Sequence, residues 1–502
     1  MGGNVIVRER LKAKPSEVVC KYLFAPAILE DSKRSFKNMI KVNLAHVLMI
    51  KKQGIISVND AKKLTSSLLT LQNKGHTAFE LDPQLEDYYF NIEQYIISQV
   101  GLDVGGKIHT GRSRNDLHST ISRMNVRDSI IPMYSRMLEL RSTLLKLASD
   151  HKETVLTGYT HMQPAQPITL AHYFAAIAEA VGRDYERLEN AYKRLNYCTL
   201  GSGAFAGTSF NIDRHYTSLL LGFSGPIENS LDAVASRDYL LEISSGYATF
   251  GSTINRFAND LYIWTTDEFG FIEVDDSMAV CSSIMPQKKN PITLEHIKSK
   301  TSHLLSAYVS IFTCMKGIPY GHCRDLAAES IRLFWDASAQ MEAILELLNA
   351  TLKTMRIRQE TMKSRANCNY STVTELADEL VRREGVSFRV AHQIVGEVVG
   401  NCIDSGLPAT DITIDMVQAA VKDYTDQKFL WTQEHLNYVL EATNSVCNKL
   451  SLGSPAPEEC QRMIDNSENR LVKDKETYRD LVNKLQQSYD KLYKEVNQIN
   501  ID

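Results

Sequence analysis

Ile131-Pro132-Met133-Tyr134-Ser135-Arg136-Met137-Leu138-Glu139-Leu140-Arg141-Ser142-Thr143-Leu144-Leu145-Lys146-Leu147 is the stretch that decides the fold class. Ile131, Met133, Met137, Leu138, Leu140, Leu144, Leu145 and Leu147 recur at threes and fours in one broad stripe. That is the period of an α-helix, not of a strand. Leu170, Tyr173, Ala176, Ile177, Ala180, Val181 and Tyr185 repeat the pattern over 168–195, and 237–266 and 295–315 behave alike. Small side chains (Ala171, Ala175, Ala176, Ala178, Ala180) let neighbouring helices approach closely. Long, rarely interrupted helices pack as a bundle. Strand-like alternation is scarce, so we expect a mostly α chain with a central long-helix bundle and only small sheets.

The helical pattern breaks near residues 103–115 and again near 364–372. We therefore expect an N-terminal helical domain (1–115), a central helix-bundle domain (116–365) and a C-terminal helical domain (366–502). Leu471, Tyr478, Leu481, Leu485, Tyr489, Leu492 and Val496 form an apolar repeat in the tail. It fits an intersubunit coiled-coil seam or a helix lying on its own C-terminal domain. The shortness of the run favours the second.

A chain of 502 residues is long enough for a large core. Its formal net charge of −4 argues against a nucleic-acid partner. The nine cysteines are scattered and odd in number, with no CxxC pair, which fits free thiols better than disulfides or zinc. No stretch has the length and apolarity of a membrane span, and no apolar leader opens the chain, so a cytoplasmic location is expected.

Three donor-rich islands interrupt the helices: Gly106 to Asp116, Gly158 to Pro167, and Cys281-Ser282-Ser283-Ile284-Met285-Pro286-Gln287-Lys288-Lys289-Asn290-Pro291. Each alone reads as a surface turn. Together they suggest one composite site for a small dicarboxylate. Arg114 offers a planar fork to a carboxylate, with Ser113 and Asn115 as neutral donors. Lys288 and Asn290 can hold a second carboxylate, most usefully if negative charge grows on it during reaction. Removing a proton from the adjacent carbon does this and creates an aci-carboxylate. Ser282 or Ser283 is the candidate base, made acidic by a cationic, partly dehydrated setting that Lys288 supplies when the loop closes. His161, beside Thr160 and Gln163, can serve the leaving group, with Glu295 orienting it. Gly201-Ser202-Gly203-Ala204-Phe205-Ala206-Gly207-Thr208 lacks the preceding strand and following Lys of a phosphate loop and reads as a bend near the site.

The ordered set His109 to Asp116, Gly158 to His161 with Gln163 and Ala165-Gln166-Pro167, and Ser282 to Pro291 resembles the argininosuccinate lyase branch of the fumarase/aspartase superfamily. Leu200 to Thr208, Asp213-Arg214, Asn229 to Val234, Arg237-Asp238, Phe388-Arg389 and Ala391-His392 extend the likeness over roughly residues 80–460. The resemblance implies a three-domain subunit of the fumarase/aspartase type, a homotetramer, and active sites shared between subunits. It implies anti β-elimination at an N-substituted aspartate, releasing fumarate and an amine or guanidine. Ser282 would be the base, Lys288 and Asn290 would stabilise the aci-carboxylate, and Ser113, Arg114 and Asn115 would bind carboxylate. Thr160 and His161, backed by Glu295, would come from another subunit. No metal or organic cofactor is implied.

The departures bear on substrate. Cys281 replaces a usual Gly, Tyr89 a usual His, and the opening Trp-Gly-Gly-Arg-Phe is absent. Where the family has Tyr-Asn and then Asp-Leu-Gln-Glu-Asp near the arginine moiety, this chain reads His322-Cys323-Arg324-Asp325-Leu326-Ala327-Ala328-Glu329. We expect His322 or Ala327 to contact the leaving amine, with Arg324 a further substrate-binding candidate. Argininosuccinate and another N-substituted aspartate, such as a diamine-based aminocarboxylic acid, both remain open. A crystallin-like structural protein and a small-anion binder are the non-enzymatic alternatives, and the retained Ser282, Lys288, Asn290, His161 and Glu295 argue against the structural one.

Overall fold

The computed structural model describes residue Leu11, residues 13–425 and residues 429–501. Its centre is a bundle of α1 (Arg114–Asp150), α2 (Leu170–Leu195), α3 (Asp238–Trp264), α4 (Ile292–Met315) and α5 (Arg332–Thr354). The stripe read from the sequence is its core: Met133, Met137, Leu138, Leu140, Leu144 and Leu145 are buried, while Ile131 and Leu147 are half-covered. They pack with Phe174, Val181 and Leu188 of α2, Tyr247, Phe250 and Phe257 of α3, and Leu304 and Leu345 of α4 and α5. Ala176 falls on the outer side of α2; Phe174 and Ala178 take the inner positions instead.

A second apolar cluster joins the helices Phe36–Lys52, Val58–Lys74 and Tyr88–Val100 to the start of α1. A third lies among Val373–Glu384, Phe388–Asp404, Ile414–Lys422 and Gln433–Leu440. Among the described residues the strands form only two-stranded sheets. They are β1 (Val155–Thr160) with β2 (Gln163–Thr169), β3 (Val280–Cys281) with β4 (Lys289–Asn290), and Ile272–Glu273 with Arg356–Ile357.

The tail corrects an expectation. Helix α6 (Pro457–Ile501) does not lie on the C-terminal helices. Cys460, Ile464 and Leu471 enter the central core, and Leu492, Val496 and Ile499 enter the N-terminal cluster. The Tyr489 hydroxyl accepts from Arg127 at 2.9 Å, and Arg141 pairs with Asp474. The third cluster closes on itself through Phe429 and Trp431, whereas the bundle and N-terminal helices leave an apolar seam for the tail to cover.

Candidate active site

Ser113 begins the site because it begins a helix. It caps α1 in a capping box: its side chain accepts from the Asn115 N–H at 3.3 Å, and Asp116 accepts from the Ser113 N–H at 2.9 Å. The fully buried Asp116 also accepts from the N–H groups of Gly201 and Gly203 at 2.8 and 2.9 Å. Burial pushes this carboxyl up to about 6, against the pull of its backbone donors. Gly203 has φ +62°, and an added Cβ would stand 2.6 Å from the Gly207 carbonyl, so the bend demands glycine there. Asn115 Nδ2 donates to the Ala204 carbonyl at 3.1 Å. The glycine-rich segment is thus strapped to the first turn of α1. Its partner Asp116 has no side-chain signature in the sequence beyond the capping spacing.

Arg114 is not free. Its Nη1 donates to Asp87 at 2.8 Å and lies 3.5 Å from Glu86, and its guanidinium stacks 4.2 Å from the Phe90 ring centre. Burial opposes ionisation of Asp87, but His118 at 3.4 Å and the Arg114 guanidinium hold it well below the usual carboxylate range. Behind the island, the buried Tyr89 hydroxyl meets His109 Nδ1 at 2.9 Å, Arg112 at 3.2 Å and Glu93 at 3.1 Å. Burial and the charges of Arg112 and Arg114 drive His109 down to about 3, so it is neutral. Tyr89, unusual for the family, is therefore the pin of this network.

Thr160, His161 and Gln163 sit at the tip of the β1–β2 hairpin, all exposed. Thr160 pairs with Gln163, leaving His161 and Met162 as a two-residue turn at φ +54° and +59°. Such a turn favours Asn and Gly, and an L side chain costs roughly 1 kcal/mol or more at each position. His161 is held there against local preference.

The Ser282 segment is a hairpin loop whose base is the β3–β4 pair. Lys289 anchors it, 2.6 Å from Asp276 and 3.2 Å from Glu273. Cys281 lies in that pair opposite Lys289 and has no positive φ, so the glycine usual at this position is not needed for backbone freedom. Ser282 Oγ accepts from the N–H groups of Ile284 and Met285 at 3.3 and 3.0 Å. Two amide donors favour the ionised hydroxyl, a source of acidity that residue composition did not reveal. Ser283 is exposed and bonds to nothing among the described residues; Lys288 and Asn290 likewise carry no side-chain hydrogen bond or ion pair there.

His322, Arg324 and Ala327 lie before α5, on a wide turn over Asp325–Glu329 closed by the Ser330 N–H on the Asp325 carbonyl. His322 is half-buried and in electrostatic range of Arg237, His118, Arg324 and Arg114. Arg114 of the first island is thus within electrostatic range of the 322–327 segment, and among the described residues no hydrogen bond or ion pair links the three islands. Glu295 makes no bond to His161 within the chain and accepts instead from the Tyr262 hydroxyl at 3.5 Å.

Residues 25–305 match the family model described as Lyase, and residues 370–446 match the one described as Argininosuccinate lyase C-terminal. The chain belongs to the argininosuccinate lyase branch of the fumarase/aspartase superfamily. It is 44% identical to argininosuccinate lyase 1 of Shouchella clausii over 97% of both chains. It is 39% identical to the argininosuccinate lyase of Methanosarcina acetivorans over 93% of each. Among solved structures, EDDS lyase in complex with formate superposes with a TM-score of 0.86 at 33% identity, covering 98% of this chain and 97% of the other. A fumarate lyase from Mesorhizobium shares the fold alone, at TM-score 0.68 and 17% identity. This lyase is accordingly a carbon–nitrogen lyase, and no helix among its described residues is long and apolar enough to cross a membrane.

Proposed function

We propose that the enzyme splits argininosuccinate into fumarate and arginine. The 44% identity to an argininosuccinate lyase across almost the whole chain is the observation that carries this reading. Ser282, ionised with the help of the two amides that bond its Oγ, takes the proton from the carbon next to a carboxylate. The electron pair passes into that carboxylate, where Lys288 and Asn290 hold the added charge. It returns to form the double bond of fumarate as the C–N bond breaks, and the nitrogen leaves with a proton from His161. Ser113, Arg114 and Asn115 bind carboxylate, with Arg114 aimed by Asp87. Thr160, Gln163 and Ser283 add polar contacts, and Glu295 supports His161.

That no hydrogen bond or ion pair links the three islands among the described residues of one chain supports a homotetramer whose sites draw residues from several subunits. Mixing and refolding Ser282→Ala with His161→Asn, each inactive alone, should restore part of the activity. No recovery would count against shared sites.

A second reading is an N-substituted aspartate with another amine. His322 and Ala327, in place of the family's Tyr and Gln, and the likeness to EDDS lyase favour it. Fumarate absorbance with purified enzyme against argininosuccinate and a panel of aspartate–amine adducts separates the two readings. Silence with every adduct would remove the lyase assignment.

A further inference from the structure

Pro132 stands at the middle of α1, where it has no N–H to give the Asp128 carbonyl one turn back. The residue borders a cavity of about 380 Å³ lined by Arg34, Asp128, Pro132, Trp335, Ser338 and Glu342, between the helix Ala25–Arg34, α1 and α5. That volume is of small-molecule size. Its acidic groups have acceptors to spare. Asp128 takes one bond through Oδ2, from Asn38 Nδ2 at 2.8 Å. Lys41 is in electrostatic range of Asp128 but stacks 3.8 Å from the Tyr489 ring centre and forms no ion pair with it. Glu342 pairs through Oε1 with Arg136. The second oxygen of each carboxylate bonds to nothing among the described residues. A guanidinium already lies on the aromatic part of the lining: Arg34 Cζ is 4.1 Å from the Trp335 ring centre. Arg34 bonds only to Glu30 of its own helix and reaches neither Asp128 nor Glu342.

We propose that this cavity is a second ligand site, which binds a guanidinium-bearing small molecule: the ligand takes the place of Arg34 on the Trp335 ring and bonds Asp128 and Glu342. The inference does not depend on the elimination reading. Indole is the best of the aromatic faces for a cation, and the planar guanidinium stacks on it. The N–H fork of the same group matches carboxylate oxygens, and the carbonyl that Pro132 leaves free accepts a further N–H. Arg34 shows the stacking half of this binding. Its tether to the helix Ala25–Arg34 denies it the carboxylate half, which an untethered guanidinium reaches. An anion would gain the single cation Arg34 and meet two carboxylates. A neutral urea group has the shape and the donors, but lacks the charge that ring and carboxylates attract. Because Arg34 is held beside the ring, it competes with the ligand at high effective concentration. Its removal should therefore tighten binding, although the site loses a side chain.

The test titrates the full-length protein with arginine and, as its neutral counterpart, citrulline, and reads tryptophan emission. Trp335 is the reporter, since the other two tryptophans, Trp264 and Trp431, are buried and do not line the cavity. We expect a saturable change with arginine and none with citrulline. Trp335→Phe, which keeps an aromatic face, should abolish the change. Arg34→Ala, a surface substitution, should tighten the arginine midpoint by at least about threefold. Glu342→Gln should weaken it by about fivefold or more. No saturable change with arginine, an equal response to citrulline, or a change that persists in Trp335→Phe would each overturn the proposal. So would weaker binding in Arg34→Ala, which would make Arg34 part of the site rather than its resident competitor. An unshifted midpoint in either Arg34→Ala or Glu342→Gln would overturn it as well.

Discussion

Arg114 Nη1 stands 2.8 Å from Asp87 Oδ2, so the cation that the sequence offers to a substrate carboxylate already has a carboxylate partner in its own chain. The pair fixes one edge of the guanidinium and leaves the rest to a ligand. Asp87 titrates below its unfolded value, so its stabilising effect is complete above about pH 4 and fades as pH falls below that. Arg114 is partly exposed, which screens the pair. Asp87→Asn should cost about 1–2 kcal/mol at pH 7. Urea denaturation should show that deficit shrinking below pH 4; a deficit that stays constant down to pH 2.5 would contradict the pairing argument.

Ser282→Ala should lower kcat by at least about a thousandfold while leaving KM within about threefold, because only the transition state uses the ionised hydroxyl. Steady-state fumarate release measures both. Rates within tenfold of wild type would take Ser282 out of its role.

The two adjacent lysines of the lid should separate in their effects. Lys288→Met removes a donor aimed at the developing charge and should cost about 100–1,000-fold in kcat. Lys289→Met breaks only the anchor to Asp276 and Glu273 and should cost about tenfold or less. The reverse order in a kinetic comparison would exchange their assignments.

Asp116 supplies a pH signature of the opposite sign to Asp87. Its folded value, about 6, lies above the ordinary 3.8, so ionising it costs the folded state increasingly as pH rises from about 4 to 6. Relative to Asp116→Asn, wild-type stability should fall by up to about 3 kcal/mol between pH 4 and pH 7. Parallel stability curves for the two proteins would show that the carboxyl titrates normally.

Leu492 is fully buried where α6 crosses the N-terminal helices. Leu492→Ala should destabilise by about 2–5 kcal/mol in chemical denaturation, through lost burial and the cavity left behind. A change under 0.5 kcal/mol would mean the tail is not part of that core.

The helical class and the bundle were legible because an apolar period over twenty residues is a local property: whatever the neighbours, one face of such a helix must be covered. The donor-rich islands were legible because polar side chains packed so densely interrupt that period. What covers each face was not. The stripe of α6 fits a coiled coil, a self-docked helix or the seam it occupies, since apolar burial is non-directional and a stripe does not name its partner. Nor does composition disclose that Arg114 is paired, that Asp116 ties a glycine bend to a helix cap, that His161 sits in a left-handed turn, or that backbone amides serve Ser282. The first two depend on hydrogen bonds between segments far apart in the chain and the last two on backbone geometry that residue types alone do not fix, and the folded arrangement sets both.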